Sequence, residues 1–199
     1  MGSSCAVPGR VWHGRRRRHA RPALHRRDGL GALSALVLVV PEVETLLADI
    51  RAEHDPAAKL GMPPHVTVLY PFASPKRLGP TERMALAELI LGFPAMDLSF
   101  QRTARFPDVL WLAPEPVEPV LALADGLTAA FPKYPPYRGK FTTVIPHLTV
   151  AQAPAPVLDQ LEPIVRARFA EPVRARADAV ALFTTVEKRW VEVDRFRLG

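Results

Sequence analysis

From residue 34 onward, the apolar positions fall into two kinds of run. Runs such as Ala35-Leu36-Val37-Leu38-Val39-Val40 are short and rich in β-branched residues, as expected of buried strands. Between them, apolar residues recur every three or four positions. Val120, Leu121, Leu123, Ala124 and Leu127 mark one such stripe, the buried side of a helix. The pattern predicts a strand over 35–40, then a helix over 41–53 opened by Pro41-Glu42, where a proline and an acid suit the first turn. A strand runs from His65 to 72. A helix follows over 81–91, capped by Thr81 or the residue before it. Strands at 96–106 and 109–112 join through a Pro107-Asp108 turn. A helix over 116–131, a loop over 132–141, a strand carrying His147 and a helix over 156–169 come next. Strands at 173–184 and 189–196 finish the chain.

Half of this order repeats. Val37-Leu38-Val39-Val40-Pro41-Glu42 answers Val109-Leu110-Trp111-Leu112-Ala113-Pro114-Glu115, in each case a strand and then Pro-Glu at the start of a helix. Each helix leads to a Pro-His-x-Thr-Val segment: Pro64-His65-Val66-Thr67-Val68 and Pro146-His147-Leu148-Thr149-Val150. A helix and a strand pair follow each segment. His65 lies 46 residues before Trp111 and His147 lies 43 before Trp190, which matches the two tryptophans by spacing. Two copies of one β/α unit place the two His-x-Thr strands as equivalents about a pseudo-twofold axis.

Side chains alternate faces along a strand, so each segment sets an imidazole and a hydroxyl side by side, backed by an apolar face. A single strand histidine is commonly a satisfied core residue, and threonine favours strands in any case. The repetition is what makes the pair a proposal about chemistry. On the same parity the next residues are Leu69 and Ala151, so neither strand is expected to add a charge to that face.

Two opposed imidazoles suit in-line displacement at phosphorus, since one neutral ring takes a proton while a charged one gives a proton. Threonine hydroxyls can donate to the non-bridging oxygens. A metal centre built on His65 and His147 would need a third ligand. The nearest remaining histidine, His54, falls at a helix end and reads as a partner of the helix dipole. No metal and no cofactor are expected.

Charge alters this picture in one place. Residues 1–28 hold eight arginines against the single acid Asp28, and no apolar periodicity, so they read as a disordered basic extension. Without them the overall +6 becomes a net of −1 over 29–199, read as one bilobal domain, which excludes a generally basic nucleic-acid-binding body. The arginines followed by the apolar run 30–40 also have the order of a secretory leader. No small-x-small cleavage site follows, however, and that run is needed as the first strand of the repeat. The lone cysteine, Cys5, rules out an internal disulfide framework. A cytoplasmic monomer with no membrane partner is expected. Positive charge and base-stacking surface must come from a local segment. The loop 132–141, with Lys133, Tyr134, Tyr137, Arg138 and Lys140, is the best source, Tyr137 and Lys140 above all. Arg105 is a weaker candidate.

The paired motif resembles that of the two-histidine (2H) phosphoesterase superfamily, which includes 2′-5′ RNA ligase-like proteins and cyclic nucleotide phosphodiesterases. The resemblance runs over about 34–198 and rests on His65-Val66-Thr67-Val68 and His147-Leu148-Thr149-Val150. It is strongest toward bacterial 2′-5′ RNA ligase family proteins, through Pro63-Pro64-His65-Val66-Thr67-Val68-Leu69-Tyr70-Pro71-Phe72 and Phe106-Pro107-Asp108-Val109-Leu110-Trp111-Leu112. It implies an α+β fold of two pseudo-symmetric lobes, with antiparallel-rich sheet, outer helices and a cleft between the lobes. It also implies metal-independent catalysis, with His65 and His147 as acid and base and Thr67 and Thr149 as phosphate ligands. The expected substrates are 2′,3′-cyclic phosphates at RNA 3′ ends or on small nucleotides. The same site using a 5′-hydroxyl as nucleophile is an ATP-independent 2′-5′ RNA ligase. A binding module that merely holds RNA-end phosphates is the reading from a different class.

Overall fold

Eight strands hydrogen-bond into one antiparallel sheet in the computed structural model, which describes residues 34–141 and 143–199. In chain order they are β1 (Ser34–Val39), β2 (His65–Phe72), β3 (Met96–Phe106), β4 (Val109–Glu115), β5 (Leu148–Gln152), β6 (Val173–Ala177), β7 (Ala179–Val186) and β8 (Arg189–Arg197). The helices are α1 (Glu44–His54), α2 (Pro56–Lys59), α3 (Pro80–Leu91), α4 (Glu118–Ala130) and α5 (Ala155–Arg168). A 3-10 turn at Pro41–Val43 leads into α1. The helix expected from residue 81 starts one residue earlier, because Pro80, which lacks an N–H, is well placed in a first turn behind Gly79. The basic extension read over 1–28 lies outside the described residues. No helix among the described residues is long and apolar enough to cross a membrane.

Across the sheet the strand order is β6-β3-β4-β5-β2-β1-β7-β8, with every neighbouring pair antiparallel. The His65 half is β2-β1-β7-β8 and the His147 half is β5-β4-β3-β6. They meet where β2 and β5 pair at Val66↔Leu148. The sheet curls enough that Gly199, two residues past β8, reaches the segment entering β3: Gly199 N donates to the Phe93 carbonyl and its own carbonyl accepts from Ala95 N.

β1 and β4 occupy matching places, each beside its histidine strand, as the repeat in sequence predicts. The tryptophans do not match. Trp111 stands on β4, inside the sheet, whereas Trp190 stands on β8 at its edge. The single strand expected over 173–184 is also two strands. The chain breaks at Asp178, with β6 at one edge of the sheet and β7 between β1 and β8 in the other half. The apolar pattern continues through this break, and only the choice of partner strands reveals it.

The longer helices α1, α3, α4 and α5 cover one face. Leu36, Leu38, Val66, Val68, Leu112 and Leu148 point to that side and pack in one core with Leu47 of α1, Leu86 of α3, Leu123 of α4 and Leu158 of α5, all essentially inaccessible. Arg105 belongs to this side too, paired with Asp159 and Glu162 of α5 at 2.6 Å each, so it is a strand-to-helix tie. The opposite, open face carries a second, smaller cluster. Ala35, Val37, Met62, Ala181 and Phe183 form it, with Tyr70 and Trp190 packed against them.

Candidate active site

Each histidine stands where its strand begins. Pro64 and Pro146 lack the N–H a ladder needs, so β2 opens at His65 and β5 at Leu148, one residue after His147. The Val66↔Leu148 pair turns its side chains to the core. On either side of it, the antiparallel run brings His65 toward Thr149 and His147 toward Thr67 on the open face. The four residues singled out by the repeated motif therefore converge across the seam between the halves.

Both rings are held the same way. His65 Nδ1 lies 2.8 Å from the Pro63 carbonyl, and His147 Nδ1 lies 2.7 Å from the Ile145 carbonyl. A carbonyl only accepts, so each Nδ1 carries a proton and each neutral ring keeps its lone pair on Nε2. Burial lowers the pKa of His65 to about 4, against the Pro63 carbonyl and the Asp55 carboxylate, which favour the charged ring. Arg51 and His147 lower it further, and the influence of His147 means that the two imidazoles sense each other. Burial also lowers the pKa of His147, opposed by the Ile145 carbonyl. Its surroundings are aromatic: the Phe106 ring meets it edge-on at 5.1 Å and Trp111 lies at 5.8 Å. Among the described residues the hydroxyls of Thr67 and Thr149 make no hydrogen bond, which leaves both free to donate.

Leu69 and Ala151 do not stand on the open face, although neither strand adds a charge there. Leu36 pairs with Leu69 and Val37 with Thr67, so Val68 is an extra residue in β2. Leu110 pairs with Ala151 and Trp111 with Thr149, so Val150 is an extra residue in β5. Each is a β-bulge that reverses the alternation beyond it. Leu69 and Ala151 turn into the main core and are fully buried. Tyr70 and Gln152 take the open-face positions instead, as matched residues of the two halves. A period of two cannot reveal them, because the bulges are set by pairing with β1 and β4.

Loop 132–141 folds over β2. It contains a 3-10 turn, Pro136–Gly139, with Tyr137 and Arg138 in the left-handed region at φ 49° and 59°. That conformation is uncommon for residues with a Cβ and tends to persist where surroundings impose it. Tyr137 packs edge-on against Tyr70 at 6.4 Å and against Phe141 at 5.4 Å, and Tyr70 reaches Trp190 at 6.4 Å. Burial raises the pKa of both tyrosines, while the charge of Arg138 pulls that of Tyr70 back down. Tyr134 faces elsewhere, onto Phe72 at 5.2 Å with Phe131 beside it. Lys133 and Lys140 are exposed. His54 is the last residue of α1, with Glu53 at 3.6 Å. No three His, Cys, Asp or Glu residues gather as a metal-binding group among the described residues.

The sequence model of the 2′-5′ RNA ligase superfamily matches residues 39–189. Solved structures share the fold at low identity, among them two of E. coli LigT and one of a Thermus thermophilus protein. Apo LigT of E. coli is 17% identical with a TM-score of 0.55, over 84% of this chain and 97% of that one. E. coli LigT complexed with 3′-AMP is 18% identical with a TM-score of 0.53, over 84% and 98%. TT0787 of Thermus thermophilus is 21% identical with a TM-score of 0.56, over 83% and 97%. No curated protein matches the chain.

Proposed function

The chain belongs to the 2′-5′ RNA ligase superfamily, and from that premise we propose that it is a metal-independent phosphodiesterase that opens 2′,3′-cyclic phosphates, on RNA ends or small nucleotides, by acid–base catalysis between His65 and His147. The observation that carries this reading is the convergence of two Nδ1-anchored imidazoles and two unengaged threonine hydroxyls on one face of the β2–β5 seam. One Nε2 takes a proton from water as the water oxygen bonds to phosphorus. The bond from phosphorus to a ribose oxygen breaks, and that oxygen receives the proton of the other ring. Thr67 and Thr149 donate to the non-bridging oxygens, where negative charge is concentrated in the transition state. Tyr137, with Tyr70, offers a stacking surface for the base, and Lys140 a cation for a further phosphate. E. coli LigT binds 3′-AMP, a nucleoside phosphate of the kind such ring opening releases.

The same groups, with a 5′-hydroxyl in place of water as the nucleophile, join that hydroxyl to the phosphorus of a cyclic phosphate end while the same ribose oxygen leaves. The chain has no Gly-rich phosphate loop and no lysine nucleotidyl motif, which agrees with joining or opening that needs no ATP. A panel without ATP and with a chelator separates the readings. It offers 2′,3′-cyclic mononucleotides, RNA ends bearing the cyclic phosphate and ADP-ribose cyclic phosphate, and identifies each product as the 2′- or 3′-phosphate. Opening of at least one substrate is expected. A protein that binds these ligands and turns over none of them is a binding module instead.

The pH profile follows from burial of the rings. The base must be neutral and the acid charged, and kcat/KM reports the free protein. His65 titrates near 4 and His147 below its ordinary 6.5, both pushed down chiefly by burial. The kcat/KM bell should therefore peak on the acid side of neutrality and fall about tenfold per pH unit above pH 7, as the protonated acid disappears. A maximum above pH 7.5 would contradict this account of the two rings.

A further inference from the structure

Behind His65 lies a charged pair that the chemistry above does not use. Arg51 and Asp55, one turn apart at the end of α1, are each 2% exposed. Arg51 Nη2 and Nε donate to Asp55 Oδ2 at 3.0 and 3.2 Å, and Nη1 donates to Glu44 at 3.3 Å. Asp55 Oδ1 accepts from Ala57 N at 2.8 Å and caps α2. Burying two charges costs about as much hydration as their attraction returns, so stability alone is a weak reason for this pair.

Its reach gives a better one. Arg51 Nη2 also donates to the Met62 carbonyl at 3.0 Å. The Pro63 carbonyl takes the Nδ1 proton of His65 at 2.8 Å, and the Pro64 carbonyl accepts from Val40 N at 2.8 Å. Three successive carbonyls, 62 to 64, are thus held by three different residues, Arg51, His65 and Val40. Pro63 and Pro64 have no N–H to hold them by. The loop before His147 shows no such buried donor among the described residues. There Phe141 and Ile145 are 60% and 46% exposed.

We propose that Arg51 is a positioning residue for His65: by fixing Met62 it sets the carbonyl that orients the imidazole, and its guanidinium balances the Asp55 carboxylate behind the ring. The inference rests on the reading of His65 as an acid–base group. The charges acting on His65 are Asp55, Arg51 and His147, with Glu44 on the far side of Arg51. Arg51→Lys keeps one charge but cannot reach Asp55 and Met62 with a planar fork. Arg51→Met leaves Asp55 uncompensated. Arg51→Met/Asp55→Asn removes both charges and the hold on Met62.

The test titrates the histidine rings of the full chain by NMR and measures kcat and KM on a 2′,3′-cyclic nucleotide. Arg51→Lys should lower kcat by about tenfold or more with KM within about twofold, the signature of a misplaced reacting group. In Arg51→Met the His65 ring should protonate at higher pH than in the parent while His147 stays put. In the double variant the titration should return toward the parent value and kcat should stay low. The proposal is overturned if Arg51→Lys turns over normally, or if folded Arg51→Met leaves the His65 titration unmoved. If the parent protein opens no cyclic phosphate, the functional reading fails, and the ring titrations still decide the role of Arg51.

Discussion

His65→Ala and His147→Ala are each expected to lower the turnover of a 2′,3′-cyclic nucleotide by about 10²- to 10⁴-fold, the usual worth of one positioned acid or base. That corresponds to roughly 3 to 5 kcal/mol of barrier. The loss should fall on kcat, since neither ring is the main holder of the phosphate. Double replacement should cost little more than one, because an acid without its base has no complete step to assist. The fold should survive. In the His65 variant, residues 62 and 64 remain tied to Arg51 and Val40. His65→Asn is a useful companion, since an amide N–H can still serve the Pro63 carbonyl but cannot move a proton at neutral pH. Rates near the parent value in both alanine variants, with folding checked by circular dichroism, would remove the catalytic assignment.

The second large effect is expected from Thr67→Val and Thr149→Val. Each substitution keeps the β-branched shape and deletes one donor. Preorganised donors to a developing oxyanion are typically worth about 10²–10³ in kcat. Among the described residues neither hydroxyl has a partner, so valine strands no buried group and should leave thermal unfolding almost unchanged. Serine at either position should restore much of the rate, because it returns the hydroxyl without the methyl group. Stopped assays with product quantitation measure all four variants. An unaltered kcat in both valine variants would mean that the hydroxyls serve the strands and not the phosphate.

The repeated motif was legible because it is local. Proline before histidine sets where each strand begins, and the alternation from His65 to Thr67 needs only two residues of regular strand. Most element boundaries could be read for the same reason. What could not be read depends on partners distant in sequence. The bulges at Val68 and Val150 exist only against β1 and β4, so Tyr70 and Gln152 could not be placed on the open face by counting. The break at Asp178 is a change of partner strand within one apolar pattern. Trp111 and Trp190 show the reverse error, a similar spacing in sequence (46 and 43 residues) that ends in unequal places in the sheet. Loop 132–141 stands out in sequence by its aromatic and basic residues. The split between Tyr137 over β2 and Tyr134 on Phe72 follows from the left-handed turn at Tyr137 and Arg138, which composition does not announce.

The strand order also sets a sequence of events for a chain emerging from the ribosome. The His147 half, β5-β4-β3-β6, has all its strands once residue 177 has been made. The His65 half begins first and finishes last, because β1 has no neighbour on its far side until β7 arrives. Clipping the two final strands would leave His147 on a full set of its own strands. It would take Ala181, Phe183 and Trp190 from the floor beside His65. The two histidine-bearing halves look alike in the finished protein, but in the growing one they differ in age, and the older histidine is the later to be housed.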